Sequence, residues 1–310
     1  MNRAGFTRAE VLRLAGAAAA ASLVGTKARG QQSGAKPTMQ TRIIPSSGEK
    51  LPVIGVGTWQ TFDVGADAGA RKQLTQVLDT LFDAGGSVID SSPMYGTSEE
   101  VAGSLVADMH ARPKAFLATK VWTRGREAGV QQINRSMQLL RTDRLDLLQV
   151  HNLLDWRIHL ATLRDLKSKG RIRYLGVTHY TSSAYRELEA VMREQELDFI
   201  QVNYSADDRA AEQRILPLAA ERGMAVLINL PFGGGGLLRR LRSKPLPQWA
   251  GEIGCNSWAQ MLLKFVIGHS AVTCVIPGTA NPDHMRDNAA AGAGSFLDEA
   301  ARRRIVAELS

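Results

Sequence analysis

The chain has 310 residues, of which 44% are apolar and 22% are charged, a balance typical of a globular protein and unlike that of a disordered or fibrous chain. Its formal net charge is +8, but Lys and Arg are scattered along the sequence, without zinc-finger spacing or interleaved aromatic residues. This pattern argues against nucleic acid as a partner and for solubility or an anionic cofactor.

The first 28 residues have the layout of an export signal. Basic residues come first, followed by the Ala-rich apolar run Leu14–Val24 and the small-residue stretch Thr26–Ala28. At about 11 residues, the apolar run is too short for a helix to cross a hydrocarbon core of ~30 Å, so a membrane anchor is the weaker interpretation. We predict a cleaved signal peptide over residues 1–28, a linker over 29–40 and a periplasmic location.

The route of export stays open. Residues Phe6–Arg13 resemble a twin-arginine signal, which exports folded proteins, but Ala9 stands where the second arginine belongs. The alternative is an N-terminal helix that stays attached to the protein. If the signal is inactive, the protein is cytoplasmic.

From residue 41 onward, short β-branched runs alternate with amphipathic stretches of helical length, which indicates parallel strands joined by helices. The predicted strands are Val53–Gly57, Ser87–Asp90, Ala115–Lys120, Leu145–His151, Ile172–Thr178, Phe199–Asn203, Ala225–Asn229 and Val272–Ile276. The predicted helices are Arg71–Asp83, Glu99–His110, Val130–Arg141, His159–Ser168, Ser183–Glu194, Ala211–Arg222, Trp258–Gly268 and the tail Leu297–Leu309.

This order predicts an α/β protein with a single (β/α)8 TIM barrel over residues 41–310. The runs Thr41–Ile44 and Lys50–Val53 flank a turn cluster, so we expect an N-terminal β-hairpin that caps the bottom of the barrel. A doubly wound open sheet is the alternative, but it would need a Gly-x-Gly-x-x-Gly turn after an early strand. The stretch Gly233–Gly236 comes too late for that role, and we interpret it as a loop.

Four ionisable residues fall at or just beyond predicted strand ends, where barrel enzymes place catalytic groups: Asp90, Tyr95, Lys120 and His151. Each alone has an ordinary structural explanation, such as a cap, a packed ring or a surface charge. Together they suit the reduction of a carbonyl group by hydride, because that reaction needs a proton donor beside the carbonyl oxygen. A lysine lowers the pKa of a neighbouring phenol, a carboxylate holds the lysine, and an imidazole orients the oxygen.

Five stretches near the predicted strand ends carry a resemblance to a known family. They are Gly55-Val56-Gly57-Thr58-Trp59, Asp90-Ser91-Ser92-Pro93-Met94-Tyr95-Gly96-Thr97-Ser98-Glu99-Glu100, Ala118-Thr119-Lys120-Val121, Leu147-Leu148-Gln149-Val150-His151 and Gly176-Val177-Thr178. Through them the chain resembles the aldo-keto reductase superfamily over roughly residues 41–310. The resemblance implies that Tyr95 is the general acid, that Lys120 and Asp90 depress its pKa, and that His151 positions the substrate.

The resemblance also implies a nicotinamide cofactor, NAD(P)H, across the top of the barrel and a small carbonyl substrate between Trp59, Trp122 and His151. The cofactor contacts that it implies are Thr58, Asp90, Thr178, His179, Gln201, Gly278, Thr279 and Asn288.

Several of these positions depart from the family pattern. His179 replaces the usual asparagine, and Asn229 falls where many members stack an aromatic ring on the nicotinamide. Gly278 and His284 stand where NADP-preferring members carry Lys and Arg, so the NADPH preference expected of the family has no support in this loop. The arginines within 239–242 are an alternative source of charge, although a solvated helix face is the simpler interpretation.

Two other classes of function remain to be weighed. One is a catalytically weak barrel that acts as a nucleotide-binding or regulatory protein, which the predicted export favours because nicotinamide cofactors are scarce outside the cytoplasm. The other is a hydrolase or lyase, which would need a carboxylate pair or a metal site, and the sequence has neither. We expect no metal, no nucleic acid and no stable membrane anchor, and we leave the oligomeric state open.

Overall fold

The computed structural model describes residues 38–309. The predicted signal peptide and most of the predicted linker lie outside the described residues, so both stay predictions. Within the described part of the chain, no helix combines the length and apolar character that a membrane crossing requires.

A two-stranded antiparallel hairpin precedes a parallel sheet of eight strands within residues 38–309. The strands are β1 Thr41–Ile43, β2 Lys50–Pro52, β3 Val56–Gly57, β4 Val88–Asp90, β5 Phe116–Val121, β6 Leu145–His151, β7 Ile172–His179, β8 Phe199–Asn203, β9 Ala225–Asn229 and β10 Cys274–Val275. Strands β3 to β10 pair in chain order, and bridges from Ile54 to Val275 and from Gly57 to Gly278 close the sheet. The predicted (β/α)8 barrel is confirmed.

Across residues 38–309, helices cover the outside of the barrel, eight of them between strands β3 and β10 and two after β10. They are α1 Ala68–Asp83, α2 Ser98–Asp108, α3 Arg126–Leu139, α4 Trp156–Ser168, α5 Tyr185–Glu194, α6 Ile215–Glu221, α7 Gly236–Leu241, α8 Trp258–Gly268, α9 Pro282–Ala290 and α10 Glu299–Ala307. Short 3-10 turns lie at Arg112–Lys114, Ser182–Ala184, Ala210–Gln213 and Gln248–Ile253. Helix α9 was not predicted. The glycine stretch interpreted as a loop ends where Gly236 begins α7, and Arg239 and Arg240, interpreted as part of a helix face, lie on α7.

Burial on both faces explains why the strands read as continuous apolar runs. All seven residues of β6 are buried, as expected for a parallel strand between a packed barrel interior and a helix layer. The close seam between β3 and β10 requires glycine, because a Cβ at Gly57 would lie 2.9 Å from the carbonyl oxygen of Ile276. Small residues at the seam therefore let the barrel close.

Aromatic rings fill the N-terminal end of the barrel. Phe116 lies 6.1 Å from both Tyr174 and Phe199, measured between ring centroids, and Tyr174 lies 5.4 Å from Phe199. Ile44 and Leu51 of the hairpin belong to the same buried cluster. The hairpin thus caps the bottom of the barrel, as expected, and leaves the opposite end for polar side chains.

The folded unit begins two residues before the predicted boundary at residue 41. Met39 is buried, the amide of Gln40 donates to the Gly292 carbonyl at 2.8 Å, and the amide of Val53 donates to the Gln40 carbonyl at 3.0 Å. The last two residues of the predicted linker are therefore part of the barrel, because they add backbone hydrogen bonds beside the hairpin.

Candidate active site

The structure brings Asp90, Tyr95, Lys120 and His151 together at the C-terminal mouth of the barrel. Asp90 ends β4, Lys120 lies on β5 and His151 ends β6, so the three adjacent strands point them at one edge. Tyr95 reaches the same place from the loop after β4. Its ring lies 5.2 Å from the Lys120 ammonium and 6.0 Å from the His151 ring, between ring centroids.

A buried ion pair lies at the centre of the site. Lys120 Nζ donates to Asp90 Oδ2 at 2.6 Å and to the Ser91 carbonyl oxygen at 2.7 Å. Burial alone would lower the pKa of Lys120, but the negative charge of Asp90 and its hydrogen bond raise it overall. The site therefore holds a fixed ammonium close to the phenol of Tyr95.

The pKa of Tyr95 lies above that of a free phenol, whereas the sequence led us to expect a lowered pKa. Burial raises the pKa of the phenol, Lys120 opposes this increase, and the carboxylate of Asp90 adds to it. Lys120 acts in the expected direction, whereas Asp90 and burial act against it, and burial is the largest of these effects. Tyr95 is thus a protonated phenol at neutral pH.

His151 is held in its neutral form. Burial lowers the pKa of the imidazole to about 3, and the positive charge of Lys120 contributes to the decrease. Ser92 Oγ lies 3.1 Å from Nδ1, so its hydroxyl can donate there and leave the ring proton on Nε2. Ser92 was not singled out from the sequence, although it is fully buried two residues after Asp90.

Two glutamine side chains support the ion pair from inside the barrel. Gln201 Nε2 donates to Asp90 Oδ2 at 3.1 Å, and Gln149 Nε2 donates to Gln201 Oε1 at 3.0 Å. Because a carboxylate only accepts hydrogen bonds, Asp90 dictates which end of the Gln201 amide faces it. Sequence reasoning missed Gln149, and the signal available was its position two residues before His151, on the same inward face of β6.

The residues expected to hold the nicotinamide lie at the same edge. In the sheet register Thr178 pairs with both His151 and Gln201. Thr58 Oγ1 donates to Ser91 Oγ at 2.9 Å, which fixes the end of β3 beside β4. His179 follows Thr178, stacks on the ring of Tyr180 at 5.7 Å, and has a pKa that burial lowers.

Buried acceptors at the mouth fit a ligand with amide and hydroxyl donors. Asp90 Oδ1, Gln149 Oε1 and Asn229 Oδ1 are buried without a hydrogen-bond partner among residues 38–309. Buried polar atoms are rarely left unpaired, and the carboxamide and ribose of a nicotinamide cofactor offer such donors. The residues present are therefore compatible with that cofactor.

The residues expected to bind the adenosine phosphates lie beyond β10. Gly278 is on the seam of the barrel, Thr279 accepts a hydrogen bond from the amide of Asn281 at 3.1 Å, and Asn288 is buried on α9. Within residues 38–309, none of the three hydrogen-bonds to the four residues of the site. His284 is exposed on α9, so this helix presents an imidazole where the family pattern has a guanidinium.

Two tryptophans lie at the mouth. Trp122 follows β5 directly, and its ring is 6.4 Å from the His151 ring at an interplanar angle of 59°. Trp59 follows β3, and its side chain is 51% exposed. Trp122 thus forms a wall beside the imidazole, whereas Trp59 lies on the rim.

Comparisons with known proteins agree with this geometry. The Aldo/keto reductase family matches residues 53–306. Methylglyoxal reductase YeaE of Escherichia coli is 31% identical over 261 residues, which cover 81% of this chain and 89% of that protein. The NADH-specific methylglyoxal reductase of Escherichia coli is 25% identical over 305 residues, covering 78% and 90%. An aldo/keto reductase from Klebsiella pneumoniae, solved with NADP and acetate, is 27% identical with a TM-score of 0.72, covering 85% and 93%.

The neutral state of His151 is testable by nuclear magnetic resonance on isotope-labelled histidine. We expect no protonation of His151 between neutrality and about pH 4, since its pKa in the folded protein is about 3. In the unfolded chain the imidazole takes up a proton near pH 6.5, so the free energy of unfolding falls as the pH drops from 6.5 towards 3, by at most about 1.4 kcal/mol per pH unit from this residue. A protonation midpoint above about pH 5 would contradict the assignment.

Proposed function

Because this chain belongs to the aldo/keto reductase family, we propose that it reduces an aldehyde or ketone to an alcohol, or runs the reverse oxidation, with Tyr95 as the proton donor. The chain is an NAD(P)-dependent oxidoreductase of this family. The observation that carries the proposal is the fixed Lys120 ammonium, bonded to Asp90 and lying beside the ring of a protonated Tyr95.

The bound nicotinamide would supply the hydride. Thr178 and Gln201 would hold its carboxamide, and Thr58 and Asp90 would contact the adjacent ribose. The chain's own residues supply the rest. His151, neutral and with its proton on Nε2, donates a hydrogen bond that orients the carbonyl oxygen. Tyr95 then transfers its phenolic proton to that oxygen, and the Lys120 ammonium stabilises the phenolate that remains.

The raised pKa of Tyr95 keeps the phenol in the form that carbonyl reduction requires. At neutral pH the phenol holds its proton, so it is ready to act as an acid in carbonyl reduction. Oxidation of an alcohol needs the phenolate as a base, which becomes abundant only at alkaline pH. Reduction is therefore the favoured role near neutrality.

Changing Tyr95 to Phe should lower turnover by ~10²–10⁴-fold, since it deletes the proton donor and little volume. Changing Lys120 to Met should cause similar damage, because the phenolate loses its stabilising cation. The two losses should be far from additive, since both disable one proton-transfer unit. Steady-state kinetics with a good aldehyde check this, and an unchanged cofactor Kd for Tyr95→Phe serves as the control.

Two results would count against this mechanism. If Tyr95→Phe kept more than about a tenth of wild-type turnover where chemistry limits the rate, the proton would come from another group. If the wild-type protein bound nucleotide yet reduced nothing across a broad aldehyde panel, a nucleotide-binding or regulatory role would replace the enzymatic one.

Cofactor binding should depend weakly on the 2′-phosphate. Gly278 has no side chain and His284 offers no fixed cation, and Arg286 on the same helix is paired with Asp283. We therefore expect the Kd values for NADH and NADPH to differ by less than roughly a hundredfold, or about 2.7 kcal/mol. A stronger preference for NADPH would assign the phosphate to Arg239, Arg240 and Arg242, which an Arg240→Gln variant would test directly.

We further propose that residues 1–28 are a cleaved export signal and that the mature protein is periplasmic. The basic, apolar and small-residue order of this segment supports the proposal. The mass and N-terminus of the protein purified from its source check it. A native protein that starts at Met1 would contradict cleavage, and its recovery in the cytoplasmic fraction alone would show that the signal is inactive.

A further inference from the structure

We propose that Gln132, Asp155 and His159 are positioning residues that brace the segment Trp122–Gly125, and that this brace sets which carbonyl compounds the mouth accepts. The three residues lie on or at the start of helices α3 and α4, and their side-chain hydrogen bonds go to backbone atoms of the segment. The part that concerns substrates rests on the proposed carbonyl reduction.

Gln132 holds the first residue of the segment. The amide of Trp122 donates to Gln132 Oε1 at 2.6 Å, and Gln132 Nε2 lies 3.3 Å from the Trp122 carbonyl oxygen, to which it donates. A side-chain amide thus replaces a neighbouring strand at the point where β5 ends, at Val121. The backbone of Trp122 is therefore fixed on both of its polar groups.

His159 holds the second residue of the segment from inside the protein. Its ring is fully buried on α4, and Nε2 lies 2.7 Å from the Thr123 carbonyl oxygen. Since a carbonyl oxygen only accepts, Nε2 carries the proton, and Nδ1 has no partner among residues 38–309. A buried imidazole with an unpaired nitrogen is unfavourable for packing alone, so the bond to Thr123 is its evident contribution.

Glycine at position 129 makes room for this ring. A Cβ at Gly129 would lie 2.5 Å from His159 Cε1 and 2.7 Å from Nδ1, closer than packed atoms approach. Gly129 lies inside α3, where glycine is less favourable than alanine, and its φ is not positive. Space for His159, and not backbone conformation, explains the glycine.

Asp155 holds the end of the segment. Its carboxylate accepts a hydrogen bond from the amide of Gly125 at 2.8 Å. Asp155 has a φ of 54°, a left-handed conformation that non-glycine residues rarely adopt. The loop that follows His151 thus places Asp155 under strain at the point where it bonds the neighbouring loop.

The brace fixes the position of the Trp122 ring at the mouth of the barrel. The segment is held from the helix side, while the ring of Trp122 faces outward, 39% exposed and 6.4 Å from the His151 ring. A bulky flat carbonyl compound beside His151 must fit against this ring, whereas a small one need not reach it. Releasing the brace should therefore weaken binding of the bulky compound and leave the proton-transfer groups in place.

Gly129→Ala tests the brace from outside the site, because the new methyl group displaces His159 from Thr123. Gly251→Ala is the matched control, since a Cβ there meets nothing within 4 Å. Should Gly129→Ala fail to fold, Gln132→Met removes both bonds to Trp122 on the outer side of the segment. Gln131→Met, at an exposed position on the same helix, is its control.

The first measurement needs no turnover. Hydrogen–deuterium exchange of the peptide covering residues 121–126 should become about tenfold faster in Gly129→Ala and Gln132→Met, while the peptide from β8 stays unchanged. Both control variants should match the wild type. Unchanged exchange at 121–126 in folded variants would overturn the brace.

The second measurement compares benzaldehyde with propanal under steady-state conditions. We expect KM for benzaldehyde to rise about tenfold in the brace variants, with kcat and the propanal parameters within about twofold of wild type. Equal losses for both aldehydes would overturn the specificity claim. If the wild type reduces neither aldehyde, the specificity claim fails, the broad aldehyde panel decides the proposed function, and the exchange result alone decides whether the brace exists.

Discussion

The buried pair of Lys120 and Asp90 is the interaction around which the mouth of the barrel is organised. Moving an ammonium and a carboxylate out of water costs several kcal/mol for each ion, and the cost is offset only when both ions are fully hydrogen-bonded. The Ser91 carbonyl accepts from Lys120 and the Gln201 amide donates to Asp90 Oδ2, while Asp90 Oδ1 has no partner among residues 38–309 and is left for a donor on a ligand. Removing either partner would leave a lone buried charge, so much of the polar interior depends on this pair.

Desolvation then sets the charge of the two groups that face the substrate. The same burial that is offset for the ion pair disfavours a second charge nearby, so it raises the pKa of Tyr95 and lowers that of His151. One therefore stays a neutral acid and the other a neutral donor. A single cation, placed by its carboxylate, is left to stabilise the phenolate that proton transfer creates.

The sequence predicted most accurately the strands and helices that consist of one uninterrupted stretch of mainly apolar residues. Strands β6, β8 and β9 and helix α8 have the predicted bounds, because each is a mainly apolar stretch that ends at a polar residue or at glycine. Strands β3 and β10 are shorter than predicted, since the seam of the barrel closes through isolated bridges that no local pattern reveals. Helix α9 follows its N-cap Asn281, begins at Pro282 and carries few apolar residues, and an Asn-Pro pair is also typical of a loop.

The sequence predicted the position of the candidate site but not its internal contacts. Residues on successive strand ends could be placed at one mouth from topology alone, and Thr178 and Gln201 lie there as well. The direction of the Tyr95 pKa could not be predicted, because it is a balance between burial and charge that needs coordinates. Ser92 and Gln149 were missed for the same reason, since their importance lies in the atoms that they contact.

The aromatic plug of Phe116, Tyr174 and Phe199, sealed by the hairpin, makes the barrel a cup with a single opening. Any molecule that reaches His151 must therefore enter and leave through the C-terminal mouth. Substrate, product and cofactor all share this one opening. The N-terminal end of the barrel takes no part in the binding or release of these molecules. Its surface can change in sequence or carry an attached label while the opening keeps its shape.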